Sequence, residues 1–178
     1  MFVTARDTSK APKLQELVLA NSNRVEIVVA DVADPKSLSL AANHIGTKTS
    51  SLDFVIFNSG VLRGWGNLLE IGVEGLKENI DTNVYGAYYA AVEFSPLLLK
   101  SEFPKKALVL MSSEFASIEL EEELFKSHAV LFNTPDHDPT AMYNISKVLS
   151  SQPLKCAKLL TDNYRQPLTV SAKNLIRF

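Results

Sequence analysis

Four short apolar runs, each followed by a stretch with helical periodicity, constrain this chain more than any other feature. Phe2–Ala5, Val25–Ala30, Phe54–Phe57 and Lys106–Met111 have the length and character of strands. Val25-Glu26-Ile27-Val28-Val29-Ala30 is almost continuously apolar, as strands covered on both faces of a parallel sheet are. Between these runs, Leu14, Leu17 and Val18 share one helical face, and Leu38, Leu40, Ala41 and Ile45 are the apolar positions of a second helix. Asp34 and Pro35 open that second helix as cap and first residue. A long helix from about Val73 to Leu99 carries Leu76, Ile80, Val84, Ala87, Ala91 and Phe94, and Leu168–Ser171 reads as a last strand. Strands alternating with helices predict an α/β fold: a three-layer, doubly wound parallel sheet with helices on both faces. There is no repeat and no long linker, so a single domain over residues 1–178 is expected.

Composition narrows the function classes. The chain is 46% hydrophobic and 21% charged with a net charge of −2, which offers no electrostatic footprint for nucleic acid or an anionic membrane surface. No apolar run has the length of a bilayer span, and the first residues do not read as a signal peptide, so a cytoplasmic protein is expected. The one cysteine, Cys156, leaves no internal disulfide or cysteine-cluster metal site, and reads as a small buried hydrophobe beside Leu154, Ala157 and Leu160.

Ligands of parallel α/β sheets bind beyond the carboxyl ends of the strands. Polar residues collect at those ends here: Arg6 and Asp7, Asp31, Asn58 to Gly60, and Ser112 to Ser113. Tyr143 and Lys147, four apart in Tyr-Asn-Ile-Ser-Lys, would stand one above the other on a helix. An ammonium that close favours the phenolate and would lower the Tyr143 pKa. Alone, that spacing is common on solvated helices.

Taken together, these stretches resemble the short-chain dehydrogenase/reductase family, in family order from Phe2 to about Lys147. Asp31-Val32 follows the second strand, where the family contacts the adenine. Asn58-Ser59-Gly60 resembles its Asn-Asn-Ala-Gly loop, with Phe57 in place of the first Asn. Asn83-Val84-Tyr85-Gly86 resembles the helix motif with the catalytic Asn, Ser113 matches the catalytic Ser, and Tyr143 and Lys147 match Tyr-x-x-x-Lys. A looser likeness, around Val109–Ile118 and the loop after Gly60, is to fungal ketoreductases.

The resemblance implies a Rossmann-like fold and an oxidoreductase moving a hydride between a nicotinamide and a carbonyl or alcohol substrate. Tyr143 would be the proton donor, with Lys147 lowering its pKa and holding the ribose. Ser113 would hydrogen-bond the reacting oxygen, and Asn83 would anchor a water leading to Lys147. Alcohol oxidation would then show a basic limb well below pH 10. Arg6, just after a strand, would pair with a 2′-phosphate, favouring NADP over NAD. Cofactor contacts would come from Arg6, Asp31, Val32, Asn58, Ser59, Gly60, Tyr143 and Lys147. A homodimer would follow by analogy.

The chain also departs from the pattern. The family's opening strand and Gly-rich turn, which hold a pyrophosphate at a helix N-terminus, are lacking, and no Gly-x-Gly-x-x-Gly occurs. That strand lies centrally in the family, between those corresponding to Phe2 and Phe54. Without it, two strands have unpaired edges: they close up, another segment fills the gap, or the chain is truncated. The C-terminal lid is lacking too, and residues 118–139 form an insertion that includes a short acidic helix, Ile118–Lys126. These departures support an alternative, a non-catalytic remnant that binds a partner or has no activity. Asp136-His137-Asp138 with His128 reads as a solvated loop, with no metal site expected; His44 reads as packed or exposed on its helix, and Trp65 as a core anchor or a pocket wall.

Overall fold

The computed structural model describes residues 1–67, 69–116, 126 and 140–151, with backbone alone at 114 and 151, and the backbone of 169–174. Five strands form: β1 (Phe2–Ala5), β2 (Glu26–Val29), β3 (Phe54–Phe57), β4 (Ala107–Ser112) and β5 (Thr169–Asn174). Helices α1 (Pro12–Ala20), α2 (Pro35–Lys48), α3 (Glu74–Ile80), α4 (Gly86–Leu99) and α5 (Ala141–Ser151) alternate with them. The predicted α/β pattern with parallel pairing is what forms. Asp34 caps α2 by accepting the Lys36 amide at 2.9 Å, and Pro35 takes the first turn, where its missing N–H costs nothing.

Among the described residues the pairing falls into two ladders. β1 pairs with β2, and β3–β4–β5 form a separate sheet, all in parallel. The two strands that the sequence left without a neighbour do not close up. A cleft of about 570 Å³ lies between them, lined by Met1–Thr4 on one side and Asp53–Ser59 on the other. Backbone bonds from Glu26 to Met1 and from Ala30 to Ala5 use the odd residues of β1, and the bond from Ala107 to Asp53 uses the odd residues next to β3. Alternation along a strand therefore turns the N–H and C=O groups of Phe2, Thr4, Phe54 and Ile56 into the cleft. Unpaired and buried, each such group would cost roughly 1–3 kcal/mol. Here water reaches the edge, since Phe54 and Ile56 are 51% and 64% exposed.

One core joins the ladders. Val28 and Ala30 from the first, and Phe57, Leu108 and Leu110 from the second, meet Leu38, Ala41 and Ile45 of α2 and Ala87, Phe94 and Leu98 of α4. Leu40 is excluded from this face and stands 71% exposed, because two residues along a helix is more than half a turn away from Leu38. The expected apolar face of α1 is not buried either: no residue of that helix is buried, and Leu17 is largely solvated. A two-stranded ladder beside an open cleft offers α1 too narrow a surface to cover it. The long helix is interrupted by a π-helical turn, Asp81–Tyr85. The expected acidic helix at 118–126 (apart from Lys126), the rest of the 118–139 insertion, the break at Pro153 and Cys156 lie outside the described residues.

Two outcomes check this architecture. Leu38→Ala should destabilise the fold by about 2–5 kcal/mol, and Leu40→Ala by no more than about 0.5 kcal/mol, in denaturant unfolding. In hydrogen exchange, the amides of Thr4, Phe54 and Ile56 should exchange far faster than those of Ala5, Val55 and Phe57. Equal protection along each strand would mean that the cleft is closed.

Candidate active site

The carboxyl end of β4, the π-helical turn and α5 converge on Tyr143 and Lys147. Ser113 follows β4 directly and is 2% exposed; its hydroxyl lies near enough to the Tyr143 phenol to favour the ionised form. The Phe115 ring meets Tyr143 edge-on, with centroids 5.5 Å apart, and fixes the aromatic plane. Lys147, on the next turn of α5, is 6% exposed and places Nζ 5.5 Å from the centre of the Tyr143 ring. The predicted stacking of the pair on one helix is therefore present, and Ser113 joins it.

The loop after β3 completes the cluster. A Cβ at Gly60 would lie 3.4 Å from Asn83 Oδ1 and 3.6 Å from Lys147 Nζ, in ordinary contact with both, so this loop position lies against the two groups. Asn83, 2% exposed in the π-helical turn, accepts the Val61 N–H and donates to the Val61 carbonyl, both at 2.9 Å. It also donates to Ser146 Oγ at 2.9 Å. Both amide hydrogens of Asn83 are thus engaged by protein, leaving one lone pair of Oδ1 for anything else. One turn earlier, Asn79, fully buried, grips Arg63 in the same two-point manner at 3.0 and 2.9 Å. Neither Asn79 nor Ser146 was singled out by sequence. Their signal was a polar residue at a buried helical position, visible only once the helix phase is known.

The electrostatics correct one expectation. Burial pushes the Tyr143 phenol above its ordinary value, only partly offset by the nearby Ser113 hydroxyl; Lys147 does not lower it. The geometry explains this: Nζ lies over the ring, and its hydrogen bond runs to the Met111 carbonyl at 3.5 Å. Burial also pulls Lys147 below the ordinary lysine range. A buried ammonium with one long carbonyl contact is under-partnered, and this fits a ligand that brings hydroxyl oxygens to it.

The remaining predicted cofactor residues sit at strand ends. Arg6 is exposed just after β1. Asp31 follows β2 and is folded into its own turn, accepting the Ala33 amide while its own amide bonds Ser37 Oγ at 2.9 Å. Val32 packs against the core and against Gly86, where a Cβ would stand 3.0 Å from the Val32 carbonyl. Asn58 and Ser59 line the cleft between the ladders. Trp65 is about half exposed, so of its two expected roles the core anchor is not realised, and His44 pairs with Glu26 at 2.8 Å on the surface. The 128–138 histidine and aspartate positions lie outside the described residues.

Comparison with known proteins gives the same picture. Residues 1–124 match the family model described as enoyl-(acyl carrier protein) reductase. The short chain dehydrogenase gsfK of Penicillium aethiopicum is 29% identical over 153 residues, covering 85% of this chain and 56% of its own length. The short chain dehydrogenase pigC of Monascus ruber is 35% identical over 88 residues, 49% of this chain and 28% of that protein. The chain thus spans about half the length, or less, of these relatives. Among solved structures, an NADPH-bound carbonyl reductase from chicken fatty liver superposes with a TM-score of 0.80 at 24% identity, covering 97% of this chain and 66% of that one. The RhlG/NADP complex of Pseudomonas aeruginosa gives 0.77 at 18% identity, covering 99% and 62%. At these identities the superpositions speak for the fold.

The raised phenol has a measurable consequence. In the chain without ligand, Tyr143 labelled with ¹³C should titrate above the ordinary value of 10.0. Because the folded-state pKa is raised, this residue leaves stability untouched below the unfolded value and lowers it as pH rises from there through the folded one. A midpoint below 10.0 would contradict the assignment of burial as the dominant effect.

Proposed function

Because the chain belongs to the short-chain dehydrogenase/reductase family, we propose that it serves hydride transfer between NADP and a carbonyl or alcohol substrate. Ser113, Tyr143, Lys147 and Asn83 form the catalytic set in this reading. The observation that carries it is the gathering of the buried Ser113, Tyr143 and the buried, under-partnered Lys147 in one cluster. NADP, when bound, supplies or accepts the hydride. Lys147 and the Asn58–Gly60 loop hold its nicotinamide end, Asp31 and Val32 its adenine end, and Arg6 its 2′-phosphate. No Gly-x-Gly-x-x-Gly occurs among residues 1–178, and this reading assigns none of them to the pyrophosphate.

In reduction, the substrate oxygen takes the place beside Ser113 and Tyr143. Tyr143 gives its phenolic proton to that oxygen as negative charge develops there, and the Ser113 hydroxyl donates to the same atom. The phenol carries this proton at neutral pH, and contacts that draw its raised pKa down strengthen it as an acid. The tyrosinate left behind draws Lys147, which is then a neighbour of opposite charge. Asn83 contributes by holding the 60–61 loop against α5, with one lone pair of Oδ1 available to a water leading toward Lys147. A small-molecule substrate, cytoplasmic location and homodimer complete the reading by analogy with relatives.

Cofactor binding tests it first. NADPH should raise the melting temperature and quench Trp65, with NADH weaker; dissociation constants above about 1 mM for both would defeat the proposal for this chain and favour the non-catalytic remnant. With binding established, Tyr143→Phe should lose at least about a hundredfold in carbonyl reduction while keeping its NADPH affinity.

A further inference from the structure

The hydroxyl of Ser146 sits between the two functional residues of α5 and is fully buried. It donates to the Tyr143 carbonyl at 2.7 Å and accepts from Asn83 Nδ2 at 2.9 Å. In a regular helix the Tyr143 carbonyl is also where the Lys147 N–H points, so this one hydroxyl touches the backbone turn that carries both groups. Through Asn83 it reaches the Val61 backbone, next to the Gly60 position that lies against Lys147 Nζ. Three segments of the chain are thereby tied in series: the 60–61 loop, the π-helical turn and, through Ser146, the first turns of α5.

We infer that Ser146 is a positioning residue, which sets the rotation and depth of α5 so that Tyr143 faces Ser113 and Lys147 faces Gly60. The inference rests on the catalytic reading above. Helix formation alone does not call for a serine here: serine is a poorer helix former than alanine, and a buried back-bonding hydroxyl slightly disfavours a helix. Its second partner, Asn83, is what gives it a purpose. Remove the hydroxyl and an amide hydrogen of a buried Asn is stranded, so Asn83 or α5 shifts to find another acceptor. A shift of this kind moves the phenol relative to Ser113, and small misplacements of reacting groups are costly in rate.

Ser146→Ala is a clean probe because alanine favours the helix. Turnover in carbonyl reduction should fall about tenfold with the NADPH affinity within about twofold of the parent. The ¹³C titration midpoint of Tyr143, assigned with Tyr143→Phe, should move as well, since its contact with Ser113 loosens. In an Asn83→Ala background, adding Ser146→Ala should produce no further loss, because the two side chains act as one link. Unchanged turnover and titration in Ser146→Ala, with Tyr143→Phe inactive, would overturn the inference while leaving the catalytic reading intact. Fully additive losses in the double variant would overturn it too. If Tyr143→Phe keeps full turnover, the catalytic reading fails, and the titration, which needs no turnover, still decides whether Ser146 positions the phenol.

Discussion

The packing of α2 against α4 is the constraint on which the rest of this molecule depends. Backbone hydrogen bonds ordinarily tie every strand of a parallel sheet to its neighbours. Among the described residues no backbone hydrogen bond ties β1 to β3, and packed side chains join the two ladders. Leu38 and Ile45 on one helix and Phe94, Leu97 and Leu98 on the other form a continuous apolar layer that reaches Val28 on one ladder and Leu108 on the other. Dispersion and the exclusion of water do here what a hydrogen-bonded strand would otherwise share.

The site is built on the same economy of contacts. Asn79 and Asn83 imitate a strand edge: each pairs with both the N–H and the C=O of one loop residue, Arg63 and Val61 respectively. A loop with no sheet of its own is thereby fixed at two points, and Gly60 is delivered against Lys147. The π-helical turn carries Asn83 and lies between Asn79 and the apolar run that begins at Ala87. π turns of this kind recur at functional sites.

Much of this was legible in the sequence, and the reasons for the rest are physical. The strands were visible because β-rich apolar runs have few alternatives, and the start of α2 because Asp-Pro has a definite cap geometry. The gathering of Ser113, Tyr143, Lys147, Asn83 and Gly60 was implied by the family resemblance of their motifs. Leu40 and Leu17 were misplaced because apolarity marks candidate faces, while only the phase of the helix and the width of the opposing sheet decide which are covered. In the long helix, periodicity pointed to Leu76 and Ile80, but the fully buried side chain in that stretch is Asn79; a polar residue satisfied by backbone leaves no hydrophobic trace. The direction of the Tyr143 pKa was missed for a different reason. Spacing brings a lysine near a tyrosine, but whether the ammonium meets the oxygen or the ring depends on rotamers.

A ladder transmits force along fixed bonds, whereas a packed apolar interface can slide by small amounts at little cost. The residues proposed for the two ends of the cofactor lie on different ladders, Arg6 and Asp31 on one and Gly60 and Ser113 on the other. The cleft thus divides the adenine end from the hydride end with a joint where a continuous sheet would have a rigid plate. The span between those ends is therefore fixed through the seating of α2 on α4 and not through a shared ladder.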